Sequence, residues 1–334
     1  MESADVDISV LQESTLGPIL FLCFINDIHH ATTLFSLLFA DDTCLLAADK
    51  NLKSVIELCN VELKKIANWL MANKLAVNVS KCKFIIFHNR GKIVNHDEAR
   101  LFFNSSALGG EELPEKIIPM ERISNHNENL VERSYKYLGI YLDENFSLNY
   151  HFDNLCKKLS VGLFCLRRAK NTVNKKSLKT LYYSLFYSHL FYCSNILNCS
   201  SNANIKKVTI LQKKAIHMIE NANYNDYTFP IFKKLKILPF DKILLHHKLI
   251  FMHGIIHKHN NRSFKNTWQY NVEREIGITL RNFNNLILPA PRFEGFKKFP
   301  LFDFAKTWNE LGEMKLQNNL SIFKSWLKDE TFSN

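Results

Sequence analysis

The sequence predicts an α+β protein in which short strands and helices precede a mainly helical second part. Three observations support this fold class. Two adjacent aspartates interrupt the apolar run at residues 34–48, a pattern that indicates a β-hairpin. Apolar residues at 56–70 recur at spacings of three and four, and helical spacings dominate after residue 150. The character of the chain therefore changes near residue 150, where we place the first domain boundary.

The first predicted helix opens at Gly17-Pro18, because proline suits the first turn of a helix. Ser14 or Thr15 is expected to cap it. Residues 19–25 are apolar on every side of this helix. A helix of that kind is typical of a protein interior, so we expect it to be buried.

The aspartate pair, Asp41 and Asp42, lies between long apolar flanks. A buried ionised carboxylate is costly unless it is paired or bound to a metal, so we expect the pair at the tip of a hairpin, at the edge of the core. Two carboxylates there suit Mg²⁺, which takes few protein ligands and leaves room for substrate phosphates. An exposed Asp-Asp turn without a ligand is the alternative, and the apolar flanks favour metal binding.

The next predicted element is an amphipathic helix over residues 56–70, with Asn51 or Asp49 as its cap. The other elements predicted before residue 150 are strands at 75–79 and 84–87, a loop-rich insertion at about 89–133, and a strand and turn at 135–143.

The second part of the chain shows repeated helical patterns. Leu155, Leu159, Leu163 and Leu166 form an apolar stripe with basic residues around it. Further helices are predicted at 181–192, 206–220, 242–259, 302–311 and 320–327.

The charge of the chain is concentrated in one segment. The formal net charge is +11, and between Asp153 and Glu220 there are twelve lysines and arginines and no acid. Such a segment indicates a polyanionic partner, nucleic acid before membrane. No stretch is apolar enough to span a membrane, and no signal-peptide pattern opens the chain. The eight scattered cysteines lack a C-x-x-C pair and are predicted to be buried, reduced thiols of an intracellular protein without a disulfide-linked partner.

Several short segments gain meaning from their order. The segments are Gln12–Pro18 with Ile25–Ile28, Phe39–Asp42, Trp69–Phe84, Tyr137–Gly139 with Asp143, His189–Ser194, Leu211–Ala215 and Trp308–Leu311. In this order they resemble the palm motifs and C-terminal region of reverse transcriptases from non-LTR retrotransposons of the jockey and CR1 type. The resemblance covers nearly the whole chain, and it rests on the ordered set because each motif alone is short.

The resemblance implies RNA-directed DNA synthesis by two-metal nucleotidyl transfer, with Mg²⁺ or Mn²⁺ as cofactor. Asp41 would be the first metal ligand, and Asp42 would be the adjacent acid. The implied partners are an RNA template, a DNA primer, their RNA–DNA hybrid and dNTPs. The implied localisation is the nucleus and cytoplasm. The implied domains are a partial palm at 1–149, a basic helical thumb at 150–220 and a C-terminal helical region at 221–334.

The resemblance also assigns roles to the remaining site residues. The residues near the nucleotide and template would be Gln12 and Ser14, with Lys81 or Lys83 near the triphosphate. The primer end would be positioned by Tyr137, Leu138 and Gly139. The phosphates of the hybrid would be bound by Lys157, Lys158, Arg167, Arg168 and Lys170, with an affinity that falls as salt rises.

The sequence departs from the family pattern in its second palm motif, where Leu11 replaces proline and Glu13 replaces glycine. Glycine would let the backbone approach the substrate, whereas glutamate brings bulk and negative charge. The first palm motif, with its third metal-binding aspartate, precedes the region that this chain matches. We therefore expect a fragment that does not polymerise alone. The alternative is a non-catalytic remnant or domesticated module that binds RNA or RNA–DNA hybrid.

Two other patterns have simpler interpretations. The histidines at 246, 247, 253, 257 and 259 are expected to form a partly solvated helix face rather than a metal site, because no glutamate or cysteine accompanies them. The aromatic run Tyr182–Tyr187 could stack on bases, but packing between helices is the favoured interpretation.

Overall fold

The computed structural model describes residues 15–88, 94, 99–104, 117–124, 133–223, 225–257, 264, 267–271, 284–291 and 294–333. The α+β class is confirmed, because small two-stranded sheets accompany many helices. The chain forms two compact units. The first unit comprises Met1–Tyr135 with Asp143–Phe146, and the second comprises Lys136–Leu142 with Ser147–Asn334. The predicted boundaries at 149/150 and 220/221 stay predictions.

The first unit combines one long helix with short strands. Its elements are α1 (Gly17–Ile25), β1 (Phe35–Phe39), β2 (Asp42–Leu46), α2 (Leu52–Ala72), β3 (Lys83–Ile85), β4 (Phe102–Asn104), β5 (Ile117–Pro119) and β6 (Glu121–Ile123).

Helix α2 forms the core of the first unit. Its buried face includes Leu63, Ile66 and Leu70, which confirms the predicted amphipathic spacing. The predicted cap is also confirmed, since the Asn51 side chain accepts a hydrogen bond from the backbone N–H of Lys53 at 3.0 Å. The helix therefore provides the surface on which the strands of this unit pack.

The predicted burial of α1 is wrong. Only Ile25 is buried, and Leu16, the N-cap residue, makes no side-chain cap. Ile19, Leu20 and Leu22 are each at least half exposed. An all-round apolar helix needs neighbours on every side, and the described residues contact only the Ile25 side.

The strand predicted at 75–79 is also absent, because this stretch has no regular structure apart from a 3₁₀ turn at Val79–Lys81. The second predicted strand is confirmed in shorter form as β3, which pairs in parallel with β6. Strands β4 and β5 pair antiparallel, so the described part of the predicted insertion contains strands of three residues each.

Residues 143–146 belong to the first unit through a buried charge cluster. The Glu144 carboxylate lies 3.6 Å from the Arg122 guanidinium and 3.5 Å from the His88 ring. Burial lowers the pKa of Arg122, while the charge of Glu144 acts in the opposite direction. This cluster attaches residues 143–146 to the rest of the first unit.

The described part of the second unit is mainly helical, and it also contains a β-hairpin whose first strand begins at the unit boundary. Its elements are β7 (Tyr135–Tyr137), β8 (Ile140–Leu142), α3 (Asn149–Ala169), α4 (Lys175–Tyr182), a π-helical turn (Tyr183–Tyr187), α5 (Ser188–Phe191), α6 (Ser194–Leu197), α7 (Asn202–Glu220), α8 (Thr228–Leu235), α9 (Phe240–Ile256), α10 (Pro300–Asn309) and α11 (Leu320–Ser333).

Aromatic side chains fill the interior of the second unit. Tyr182 and Phe186 are fully buried and stack at 5.6 Å between ring centroids. The amide of Gln212 donates to the Tyr182 hydroxyl at 2.8 Å, which satisfies that polar group in the core. A second cluster forms around Trp308 and Phe323. These residues give the unit a densely packed core.

Two further sequence expectations concern membranes and cysteines. Within the ranges that the structure describes, no helix is both long and apolar enough to cross a membrane. The expected burial of the cysteines is wrong, because Cys23 is exposed and the other seven are half-buried. The described cysteines form no disulfide bond with one another.

Candidate functional site

The aspartate pair lies at the tip of the β1–β2 hairpin, as predicted. Phe39 pairs with Asp42, so Ala40 and Asp41 alone form the turn, and Asp42 is the first residue of β2. Ala40 has φ 51°, a left-handed conformation that an L-residue other than glycine adopts at a cost. The tight, strained turn therefore fixes the direction in which the adjacent carboxylates leave the sheet.

Both carboxylates are open to a ligand. Asp41 and Asp42 are exposed, and no described residue forms a hydrogen bond or ion pair with either side chain. Tyr135 lies near Asp42: burial raises the pKa of Tyr135, and the charge of Asp42 adds to the increase. The donors are hard oxygen atoms, the type that Mg²⁺ prefers. The described residues contain no group of three or more His, Cys, Asp or Glu side chains that could hold a metal ion by itself.

Cross-strand pairing gives the hairpin two unlike faces. Leu38 and Leu45 lie on the face that packs against the core of the first unit. Phe35 and Phe39 lie on the other face, where each is 62% exposed. The aspartate pair therefore lies on a two-stranded hairpin that packs against the core through one of its faces.

A buried glutamate in α2 anchors the entry to the hairpin. The Glu62 carboxylate accepts hydrogen bonds from Thr32 Oγ1 at 2.8 Å and from the backbone N–H of Thr33 at 2.7 Å. The ammonium of Lys65 also donates to it at 2.6 Å. These hydrogen bonds lower the pKa of Glu62 to about 2, and the bond from Lys65 has the largest effect. Sequence reasoning missed this role, and a glutamate on the apolar face of an amphipathic helix was the available signal.

The other residues predicted near the nucleotide are placed as follows. Lys81 ends the 3₁₀ turn and is exposed. Lys83 lies on β3 and forms an ion pair with Glu121 on β6, so its charge is already compensated. Gln12 and Ser14 lie outside the described residues. The structure therefore leaves Lys81 as the more available cation of the predicted pair.

The predicted primer-binding residues form the turn of the β7–β8 hairpin in the second unit. Tyr137 ends β7, and Leu138 and Gly139 are the two turn residues. Leu138 has φ 44° and Gly139 has φ 84°, so both adopt the left-handed conformation that tight two-residue hairpins require.

Helix α3 carries the predicted phosphate-binding residues on its solvent side. Its opposite side, with Leu155, Leu159 and Leu166, is buried. The predicted cations Lys157, Lys158, Arg167 and Arg168 are exposed, Lys170 is half-buried, and no described residue forms an ion pair with them.

One exposed line of α3 places two apolar residues between two cations. Lys157, Val161, Phe164 and Arg168 follow one another at spacings of four, three and four. Val161 is 64% and Phe164 62% exposed, and the Arg168 guanidinium lies 5.7 Å from the centre of the Phe164 ring. This surface offers unpaired cations together with an aromatic ring.

The histidines and the aromatic run contribute to packing. His253 is fully buried, with Nε2 2.7 Å from the carbonyl oxygen of Gln317, so the prediction of a partly solvated face is wrong there. His257 contacts the carbonyl oxygen of Lys315 in the same way, and His259 lies outside the described residues. Packing of the run is confirmed for Tyr182 and Phe186, whereas Tyr183 is 39% exposed.

Comparison with known proteins identifies the region that holds the hairpin. Residues 10–142 match the family model described as reverse transcriptase (RNA-dependent DNA polymerase). The chain is similar to the RNA-directed DNA polymerase from mobile element jockey of Drosophila melanogaster, with 24% identity over 68% of this chain and 23% of the relative. It is also similar to the jockey polymerase of Drosophila funebris, with 22% identity over 70% of this chain and 24% of the relative.

The chain thus spans about a quarter of the length of the curated relatives that it matches. No solved structure matches it. The family match contains both the β1–β2 hairpin and the β7–β8 hairpin, and the similarity to the jockey polymerases reaches well beyond it.

Proposed function

We propose that this chain contributes the palm hairpin and the nucleic-acid-binding helices of an RNA-directed DNA polymerase of the non-LTR type, because residues 10–142 match the reverse transcriptase family and the chain is similar to the jockey polymerases. The observation that carries the proposal is the two-residue turn that exposes Asp41 beside Asp42 within the matched residues. The non-catalytic binding module is not favoured, because the matched family is a family of polymerases.

The reverse transcriptase family uses divalent metal ions, and we propose Mg²⁺ or Mn²⁺ for this chain. The exposed carboxylates of Asp41 and Asp42 fit such an ion in donor type and in accessibility. When bound, the ion would supply positive charge for the triphosphate and for the primer hydroxyl. Mg²⁺ is commonly held by one or two protein carboxylates together with substrate phosphates, so the dNTP would complete the coordination.

The residues of this chain would hold the other reactants. We assign Lys81 to the triphosphate, ahead of Lys83, because Lys83 is paired with Glu121. The Tyr137–Gly139 turn would position the primer end. By the family resemblance, Gln12 and Ser14 would lie near the nucleotide and template.

The solvent side of α3 would hold the phosphates of the RNA–DNA hybrid. Lys157, Lys158, Arg167 and Arg168 carry no acidic partner among the described residues, so binding phosphate breaks no existing ion pair. Other lysines of the basic segment are already engaged, since Lys207 pairs with Asp153 and Lys175 pairs with Glu220. From the family resemblance, we further propose that this activity takes place in the nucleus, with a cytoplasmic RNA–protein phase.

The proposal is tested by hybrid binding and primer extension with the full chain. We expect the chain to bind an RNA–DNA hybrid with an affinity that falls as salt rises. Asp41→Asn should bind at least as well, because it removes a negative charge. A chain that fails to bind the hybrid at low salt would contradict the proposal.

Primer extension with Mg²⁺ addresses the chemistry. From the sequence we expect that these residues alone do not extend a primer. Extension that Asp41→Asn abolishes would refute that prediction and would establish catalysis at the hairpin directly. Asp49→Asn is the matched control, because Asp49 lies just beyond β2, outside the turn, and accepts a hydrogen bond from the Asn51 backbone at 3.0 Å.

A further inference from the structure

The turn of the β7–β8 hairpin has a conformation that its own residues do not favour. Both turn residues have positive φ, at 44° for Leu138 and 84° for Gly139. Two-residue turns of this kind favour asparagine or aspartate at the first position, because leucine pays a steric cost there. Such a conformation persists only where the surrounding structure holds it. A contact from outside the hairpin is therefore needed.

Tyr192 makes that contact from a distant part of the second unit. Its hydroxyl donates a hydrogen bond to the carbonyl oxygen of Leu138, 54 residues earlier in the chain. Its ring lies against Gly139, since a methyl group added at that glycine would be 3.2 Å from Cε1 of the Tyr192 ring. The phenol therefore contacts both residues of the turn. A tyrosine hydroxyl is protonated at neutral pH and can therefore donate this hydrogen bond.

The backbone around Tyr192 explains how the ring reaches the turn. Helix α5 ends just before it, and Tyr192 is extended at φ −61° and ψ 124°. Cys193 then has φ 52°, which turns the chain into α6. Leu190 and Leu197, on either side, are fully buried and fix this corner in the core. Tyr192 itself is 49% exposed, so burial of its ring does not account for its position.

We propose that Tyr192 is a positioning residue that holds the Leu138–Gly139 turn in the conformation needed to support the primer end. The anchoring contact rests on the geometry alone, whereas its benefit to the primer rests on the proposed function. Tyr192 acts through the turn and is not proposed to touch the reacting atoms.

Amide hydrogen exchange measures the anchoring without reference to activity. Tyr192→Phe keeps the ring against Gly139 and removes the hydrogen bond, whereas Tyr192→Ala removes both contacts. We expect exchange in residues 137–141 to be about tenfold faster in Tyr192→Phe, a typical effect of one lost hydrogen bond, and faster still in Tyr192→Ala. Tyr227→Phe is the control, because it removes a hydroxyl from a 78% exposed tyrosine of the same unit.

Binding to two hybrids measures the consequence for the primer. One hybrid has a recessed DNA 3′ end on a longer RNA strand, and the other is blunt. We expect the wild-type chain to prefer the recessed end, and Tyr192→Ala to lose that preference while it binds the blunt hybrid as the wild type does. A loss of affinity for both hybrids would instead indicate damage to the whole unit and would contradict the positioning role.

The two measurements separate the failures. Unchanged exchange in both Tyr192 variants would overturn the anchoring proposal, whatever the hybrids show. Exchange could be faster in the variants while the wild type shows no preference for the recessed end. That result would support the anchoring and would contradict the primer role of the turn. Slower exchange in Tyr192→Phe than in Tyr192→Ala would assign part of the effect to the ring contact with Gly139.

Discussion

The β1–β2 hairpin of the first unit and the helical core of the second unit are built in opposite ways. Among the described residues, the largest fully buried side chains all belong to the second unit, including Trp308, Tyr182 and Phe152. The β1–β2 hairpin instead leaves Phe35 and Phe39 exposed and is anchored at its entry by Glu62. A binding surface can rest on a dense core, whereas the carboxylate turn depends on a few local contacts.

This difference predicts where the chain tolerates substitution. In the second unit, stability should depend on side-chain volume, because close-packed interiors do not close over a large cavity. In the hairpin, stability should depend on hydrogen bonds and backbone conformation, and changes in exposed apolar side chains should cost little. Three pairs of substitutions test this contrast through stability, and a fourth pair tests the binding surface of the second unit.

The largest effect is expected for Trp308→Ala. The ring is fully buried against Phe323, with centroids 5.9 Å apart, so its loss should lower the free energy of unfolding by about 3–5 kcal/mol. Phe35→Ala, at a 62% exposed position, should change it by no more than about 0.5 kcal/mol. Urea denaturation followed by circular dichroism measures both. Equal costs for the two substitutions would remove the contrast.

The second effect is expected for Glu62→Gln. This change removes the charge that accepts hydrogen bonds from Thr32, Thr33 and Lys65, and it should cost about 1.5–3 kcal/mol. Glu57→Gln, on the exposed side of the same helix, should cost little. Denaturation at neutral pH compares the two variants, and a Glu62→Gln variant as stable as the wild type would show that the anchor is dispensable.

The pH dependence of stability sharpens the same point. The pKa of Glu62 is lowered from 4.5 to about 2 in the folded chain, so the unfolded chain takes up this proton first as pH falls. The stabilisation is therefore complete above about pH 4.5 and is lost progressively towards pH 2. Glu62→Gln should lose less stability than the wild type over that interval. Parallel pH profiles would contradict the assignment.

The third effect concerns the strained turn residue. Ala40 has φ 51°, a conformation that glycine adopts without steric cost, so Ala40→Gly should raise the free energy of unfolding by about 0.5–1 kcal/mol or leave it unchanged. Ala40→Val should lower it, because a β-branched residue fits this conformation poorly. Thermal denaturation of the pair gives the order. A valine variant more stable than the glycine variant would refute the strain.

The smallest effect is a change in salt dependence on α3. Lys157→Ala should reduce the slope of log affinity against log salt for the RNA–DNA hybrid by about one, because one phosphate contact is lost. Lys175→Ala is the matched control, since Lys175 is paired with Glu220. Fluorescence anisotropy at several salt concentrations measures the slopes. If Lys175→Ala reduced the slope as much as Lys157→Ala, the assignment of this face of α3 to phosphate binding would be contradicted.

The contrast between the units also explains what the sequence could predict. Helices α2 and α3 were predictable because their apolar stripes are local patterns, and the hairpin was predictable because adjacent aspartates force a turn. The roles of Glu62 and Tyr192 were not predictable, because their partners lie 29 and 54 residues away in the chain. Residues 75–79 show the alternation of apolar and polar residues that is typical of a strand, but no described strand pairs with them. Helix α8 was missed because Pro230 and the polar residues before it resemble a loop.

The most direct test asks whether Asp41 and Asp42 hold a divalent ion together with a nucleotide. Electron paramagnetic resonance of Mn²⁺ would be measured with the chain, a hybrid with a recessed DNA 3′ end and the matching dNTP. We predict that the wild type and Asp49→Asn take up Mn²⁺ beyond what the dNTP and hybrid bind alone, and that Asp41→Asn loses this uptake. Equal uptake by the wild type and Asp41→Asn would contradict the assignment of the hairpin as the metal-binding turn of a polymerase.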